Sequence, residues 1–237
     1  MNRNMNNKAI WFQYRFKFGE GGEKLFDVRL NRETLNLIKS KRELYPEWVN
    51  LSFFKCLTCP LEEVHYPYCP IAANLIELVD FFRDMISYEE VDLEIHCEER
   101  TYCKHTTLQQ GISSLVGIYM VTSGCPIMEK LKPMVRYHLP FATRIETQYR
   151  VLSMYLMAQF FIYRKGREPD WELKNLVKIY DDIQVVNNDF CRRLAQNQMG
   201  DAALNALVKL DIFAKHVSSS INSDTLDEEE RLFDAYL

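Results

Sequence analysis

The sequence predicts an α+β fold, with an N-terminal antiparallel β-sheet and a C-terminal helical layer or bundle. Three observations predict it. Residues 9–18 alternate strictly, with Ile10, Phe12, Tyr14, Phe16 and Phe18 on one face and Gln13, Arg15 and Lys17 on the other, which is the period of a half-buried strand. Gly19-Glu-Gly-Gly22 and a second alternating run over residues 24–30 complete a β-hairpin. From Leu108 onward the apolar residues recur with helical period almost to the end of the chain.

The remaining elements come in order. Residues 34–39 and 48–55 read as short third and fourth strands, the latter ending at the first cysteine. Cys69-Pro70 opens a helix through Ile71, Leu75, Leu78, Val79 and Phe82. Residues 91–97 alternate again, as a strand whose polar face carries Asp92, Glu94 and His96. A helix through Ile112, Leu115, Val116 and Tyr119 ends at Gly124, which can adopt the left-handed conformation. Thr143-Arg-Ile-Glu146 is a capping box before a long helix with Tyr149, Leu152, Leu156, Phe160 and Tyr163 on its apolar face. Asp170 and Asp201 cap two further helices. The division is a single α+β domain over residues 1–217, sheet-rich over 9–105 and helical over 107–217. Residues 218–237 form a linker and an acidic tail. Sequence-adjacent strands favour antiparallel pairing.

The chain has 237 residues, 47% of them hydrophobic, and a formal net charge of -4. This excludes a disordered polymer, and leaves room for a core that needs no metal or disulfide to form. Residues 1–8 are polar and do not resemble a secretory signal. No window approaches the roughly 18 apolar residues of a membrane span. The expected setting is the cytoplasm, where thiols stay reduced. The acidic balance argues against a nucleic-acid surface and leaves a protein partner open.

The seven cysteines carry the chemistry. Cys56-Leu-Thr-Cys59-Pro60 is a C-x2-C. Cys69-Pro70 lies ten residues later, and Ser123-Gly124-Cys125-Pro126 comes from a distant segment. Proline suits the first helical position, which puts the preceding cysteine at the N-cap. Free backbone N–H groups and the helix dipole then face the sulfur and favour thiolate, the metal-binding form. Cys56, Cys59, Cys69 and Cys125 are the expected metal ligands, with zinc favoured and an iron–sulfur cluster the alternative. The bland reading makes Cys69 and Cys125 small buried caps, and a disulfide or redox switch is a third. His65 is a substitute ligand. His96, Cys97, Cys103 and His105 form a weaker second group, because neighbours on a strand face opposite ways.

A catalytic alternative pairs a Cys125 thiolate with His138 as base. Ser113-Ser114 lacks a nucleophile elbow and reads as a helix-packing face. Glu146, Ser153, Gln159, Asn187, Asn205 and Asp211 fall on or near apolar helix faces. They read as inter-helix hydrogen-bonding groups before they read as a polar cleft.

The set Cys56-Leu-Thr-Cys59-Pro60-Leu61, Cys69-Pro70-Ile71-Ala72, Ser123-Gly124-Cys125-Pro126 and His138-Leu-Pro-Phe141 resembles an uncharacterised bacterial protein family of unknown function, over residues 49–211. The resemblance implies a bacterial, cytoplasmic protein and supplies no activity. The expected function is a non-catalytic binding or regulatory module with a structural four-cysteine metal site. The alternative is an iron–sulfur or thiol-dependent enzyme using a polar cleft between helices.

Overall fold

The computed structural model describes residues 9–19, 21–39, 42–197, 200–223 and 226–237. The polar N-terminal octet and Glu20 of the hairpin turn lie outside them. Strands β1 (Ala9–Phe18), β2 (Glu23–Asn31), β3 (Glu90–Cys97) and β4 (Thr101–Thr107) form one antiparallel sheet in the order β2-β1-β3-β4. Helices α1 (Pro70–Phe81), α2 (Leu108–Val121), α3 (Lys132–Arg136), α4 (Arg144–Arg164), α5 (Lys174–Gln196), α6 (Asp201–Asn222) and α7 (Asp227–Glu230) complete the chain. The α+β expectation therefore holds. Among the described residues no helix is long and apolar enough to cross a membrane.

The alternating runs place their apolar residues on one face. Ile10, Phe12, Tyr14 and Phe16 of β1 are buried with Phe26, Val28 and Leu30 of β2 and Val91, Leu93 and Ile95 of β3. Helices cover that face. Phe82, at the end of α1, meets Phe16 edge-on at 5.2 Å and stacks with Phe26 at 5.6 Å. Gly111 seats α2 on the sheet: a Cβ there would stand 2.8 Å from Leu93 Cδ2 and 2.9 Å from Phe16 Cε1. The opposite face is solvated, and Glu94 pairs there with Lys17 and Arg15.

Several expectations are corrected. Residues 34–39 make only the isolated bridge Leu30↔Leu37, because Leu35 turns the chain with φ 57°. Residues 48–55 form two 3-10 turns, Glu47–Val49 and Leu51–Phe53, after Pro46. β4 escapes the alternation test because it is an edge strand with little burial on either face. Helix α6 runs through Asn222 and takes in most of the expected linker. Its N-cap is Gly200, and Asp201 accepts instead from the Ser87 N–H at 2.8 Å. Leu173, at φ 61°, caps α5, while the Asp170 carboxylate reaches forward to the N–H groups of Lys174 and Asn175.

The capping box of α4 is present as expected, but its buried face is not the apolar stripe. Gln148, Val151, Leu152, Tyr155 and Gln159 point inward, while Phe160 and Tyr163 are 49% and 62% exposed. Apart from the unpartnered Gln148 Oε1, the inward polar groups find partners. Gln159 accepts from the Asp170 N–H, Tyr155 donates to Asp170, and Gln148 donates to Glu229.

The seat of α2 gives a paired prediction. Gly111→Ala overpacks the contact with Leu93 and Phe16 and should cost about 1–3 kcal/mol in urea unfolding. Gly117→Ala on the same helix meets only Leu210 Cδ2 at 3.7 Å and should be neutral or stabilising by up to about 1 kcal/mol through helix propensity. Equal effects would show that Gly111 does not set the helix–sheet distance.

Candidate metal centre

The first two cysteines sit on a tight turn. The Cys59 N–H donates to the Cys56 carbonyl at 3.0 Å, and the Leu57 N–H donates to the buried Asp189 carboxylate of α5 at 2.9 Å. Cys69 is held by a short ribbon in which its N–H donates to Val49 O at 2.8 Å and the Leu51 N–H donates to Pro67 O at 2.8 Å. It is the N-cap of α1, with Pro70 at the first helical position, as the Cys-Pro pattern predicts. Its side chain makes no capping hydrogen bond, although the N–H groups of Ile71 and Ala72 favour charge on the sulfur.

Cys125 is not the helix N-cap its Cys-Pro pattern predicts, since the next helical element, Met128–Leu131, is capped by Ile127. Gly124 takes φ 93°, the Cys125 N–H donates to Ser123 Oγ at 3.1 Å, and the N–H groups of Ile127 and Met128 favour charge on the sulfur. Beyond Cys125 the chain does not form the expected continuous helix. It makes a turn, the 3-10 segment Met128–Leu131 and the short α3.

These segments bring the four thiols into one neighbourhood. Charge on Cys56 is felt by Cys69, Cys59 and Cys125, and Cys125 in turn feels Cys69 and Cys59. Cys69 and Cys125 are buried, while Cys56 and Cys59 keep partial access to solvent. Burial dominates the thiol chemistry. It pushes Cys56 up to about 12 and raises Cys69 and Cys125 against the opposing pull of their N–H contacts. The expectation that helix N-termini alone would yield thiolates is therefore corrected, since desolvation outweighs the dipole.

Arg193, which no motif signals, completes the neighbourhood. The residue is 1% exposed, and its guanidinium donates to the carbonyls of Trp48, Asn50 and Phe54. Burial lowers its pKa, and Cys69, Cys56 and Cys59 act in the opposite direction. Among the described residues it has no carboxylate within ion-pair distance. One sequence signal points to it: Arg193 falls between Phe190 and Leu194 on the apolar face of α5, where a charge must have a purpose.

Among the described residues, no group of three or more His, Cys, Asp or Glu side chains is set to hold a metal ion. The four-cysteine zinc site expected from spacing is thus not supported as a formed site, although its four residues do share a neighbourhood. His65 is exposed on the loop between Cys59 and Cys69. The weaker group is dispersed over the β3–β4 hairpin. His96 bonds Thr101 Oγ1 at 2.9 Å, the Cys97 thiol donates to Arg100 O, and His105 bonds Asp92 at 2.8 Å.

His138 does not partner Cys125. Its Nε2 lies 2.6 Å from Tyr14 Oη and 3.3 Å from Ser114 Oγ, and Tyr14 Oη lies 2.9 Å from that same hydroxyl. Burial, helped by Arg150, holds the His138 pKa down at about 3. The Cys125–His138 thiol pair is therefore absent. Of the polar residues noted on helix faces, Glu146, Gln159, Asn205 and Asp211 have structural partners and Ser153 is exposed. Asn187 is the exception, with an Oδ1 that is buried without a hydrogen-bond partner.

Arg193→Met should cost about 3 kcal/mol or more in urea unfolding, because three buried carbonyls lose their donor. It should also speed alkylation of Cys56 and Cys59, read by mass spectrometry. Unchanged stability and alkylation would remove Arg193 as the anchor of the cysteine loop.

A family model described as a domain of unknown function (DUF6901) matches residues 12–234. Comparison with curated proteins and with solved structures gives no significant match. The chain belongs to the DUF6901 family.

Proposed function

We propose that this DUF6901 chain is a non-catalytic binding or regulatory module whose four thiols, Cys56, Cys59, Cys69 and Cys125, take up a soft metal as thiolates. The observation that carries the reading is their convergence from three separate segments, with Cys69 at the N-cap of α1 and Cys125 just before a 3-10 segment. Thiolate ligands select zinc or an iron–sulfur cluster. A tetrahedral zinc needs its sulfurs about 3.8 Å apart, given Zn–S bonds of about 2.3 Å, so a single ion requires the thiols to close further. A cluster of several irons spreads its ligands wider and asks for less closure.

Charge supports an anionic centre of either kind. Four thiolates around a divalent ion leave two negative charges, and a thiolate-bound cluster is also anionic. Arg193 supplies a buried positive charge that has no carboxylate partner among the described residues. The Thr58 hydroxyl in the C-x2-C turn is buried without a hydrogen-bond partner, and sulfur would accept from it. The metal would clamp the 56–69 loop to the segment after Cys125, and a protein partner in a reducing compartment fits a module of this kind.

The test is elemental analysis with visible spectroscopy on untagged, anaerobically purified protein. About one zinc per chain without colour assigns zinc, and brown protein with iron and sulfide assigns a cluster. Cys69→Ser and Cys125→Ser should each lose the metal and lower the melting temperature. Metal-free protein with both variants unchanged in melting temperature would overturn the reading.

A pH profile checks the same chemistry. A thiol whose folded pKa is raised, as Cys56 is from 9.0 to about 12, adds stability that is present below pH ~9 and lost as pH rises toward ~12. Metal-free protein should therefore weaken above pH ~9 in thermal unfolding. Metal-loaded protein, already deprotonated at sulfur, should hold there and release metal in acid instead. Identical profiles with and without metal would count against thiolate ligation.

A further inference from the structure

A half-open cavity of about 200 Å³ lies between α2, α4, α5 and α6 and is also lined by the segment that runs from Met128 to Ala142. A dry cavity of about 150 Å³ already accepts benzene, so this one has room for a substituted ring or a short branched chain. Its walls are mainly apolar, with Ile118, Leu131, Leu210 and Phe213 among them. A few convergent polar groups in an apolar cavity are the usual make-up of a small-molecule site.

The polar groups here are unbalanced. Arg150 from α4 and Lys209 from α6 line the cavity, and no carboxylate lines it among the described residues. Neither cation has a carboxylate within ion-pair distance among those residues. Arg150 donates to the carbonyls of Met134 and Tyr137 at 2.8 and 2.9 Å, which fixes the side chain without neutralising it. From α5 comes Asn187, 1% exposed, with its Oδ1 unpartnered. Buried acceptors nearly always find a donor, and the described residues supply none. His138, held neutral and bonded to Tyr14 and Ser114, adds no third cation.

We propose that the cavity binds a small carboxylic acid with an apolar body and one hydroxyl or amide N–H. The carboxylate pairs with Lys209 and Arg150, and the donor meets Asn187 Oδ1. The inference is independent of the metal centre and stands whether or not the thiols hold an ion.

The experiment is calorimetric titration of the full chain with 4-hydroxyphenylacetate, its uncharged amide 4-hydroxyphenylacetamide, and phenylacetate, which lacks the hydroxyl. The acid should bind at least about tenfold more tightly than the amide, and phenylacetate should be weaker severalfold. Lys209→Met and Asn187→Leu should each weaken the acid about tenfold. Asn187→Leu should leave the melting temperature unchanged or raise it, because it removes an unsatisfied acceptor. If that variant does not fold, Lys209→Met alone decides. Equal affinity for acid and amide, full affinity in Lys209→Met, or no saturable binding of any probe up to ~10 mM overturns the proposal.

Discussion

The guanidinium of Arg193 is the contact on which the cysteine region depends. It lies almost wholly out of solvent and ties three carbonyls of the 48–54 segment to helix α5. That segment has no regular strand or helix to satisfy its backbone, only two 3-10 turns and one bridge to Tyr68. Buried carbonyls need donors, and one planar side chain with a fixed fork supplies them together. Asp189, one turn earlier on the same helix, accepts from the Leu57 N–H. A single helix therefore holds both the approach to the C-x2-C turn and the turn itself, and Cys69 is hydrogen-bonded to the same segment through Val49.

The thiols sit under two opposing influences. Nearby backbone N–H groups favour charge on the sulfurs of Cys69 and Cys125, while burial disfavours it. Burial wins, as it does for Cys56. The protein by itself therefore keeps protonated thiols in a place where its dipoles and Arg193, which has no carboxylate partner among the described residues, would suit an anion. A metal reverses the balance, because a bound cation deprotonates its thiol ligands. The same contest weakens the thiol-enzyme reading: a nucleophile needs thiolate without metal, and His138 is engaged with Tyr14 and Ser114.

The parts of the molecule that are legible in the sequence and the parts that are hidden divide along physical lines. The β1–β2 hairpin is legible because one face is buried and the other wet, so Phe12, Tyr14 and Phe16 alternate with polar and charged residues. Cys69 as an N-cap is legible because proline after it has few other places to sit. The edge strand β4 has no buried face to impose a period, and stays hidden. The orientation of α4 is obscured because its inward positions include Gln148 and Gln159, whose partners come from distant residues Glu229 and Asp170. Arg193 is hidden for the same reason: its role is defined by carbonyls about 140 positions earlier in the chain. Long-range polar pairing leaves little periodic trace, whereas burial of apolar faces does.

The cysteine cluster and the cavity are built from the same pieces. Helix α5 carries Asn187 into the cavity wall and, within two turns, Asp189 and Arg193 to the cysteine loop. The chain leaving Cys125 lines the cavity with Met128, Leu131, Met134 and Val135, and ends at His138, anchored to Tyr14 of the sheet. Arg150 closes the circuit, since it grips the carbonyls of Met134 and Tyr137 while presenting its charge to the cavity. A carboxylate that pairs with Arg150 would therefore act on the group that holds this segment in place. Clamping Cys125 fixes the opposite end of the same stretch. Two ligands influence one another only through a difference in how each favours the available conformations, and the 125–138 segment, built of a turn, a 3-10 segment and the short α3 and held at both ends by side chains, is the element on which both would bear.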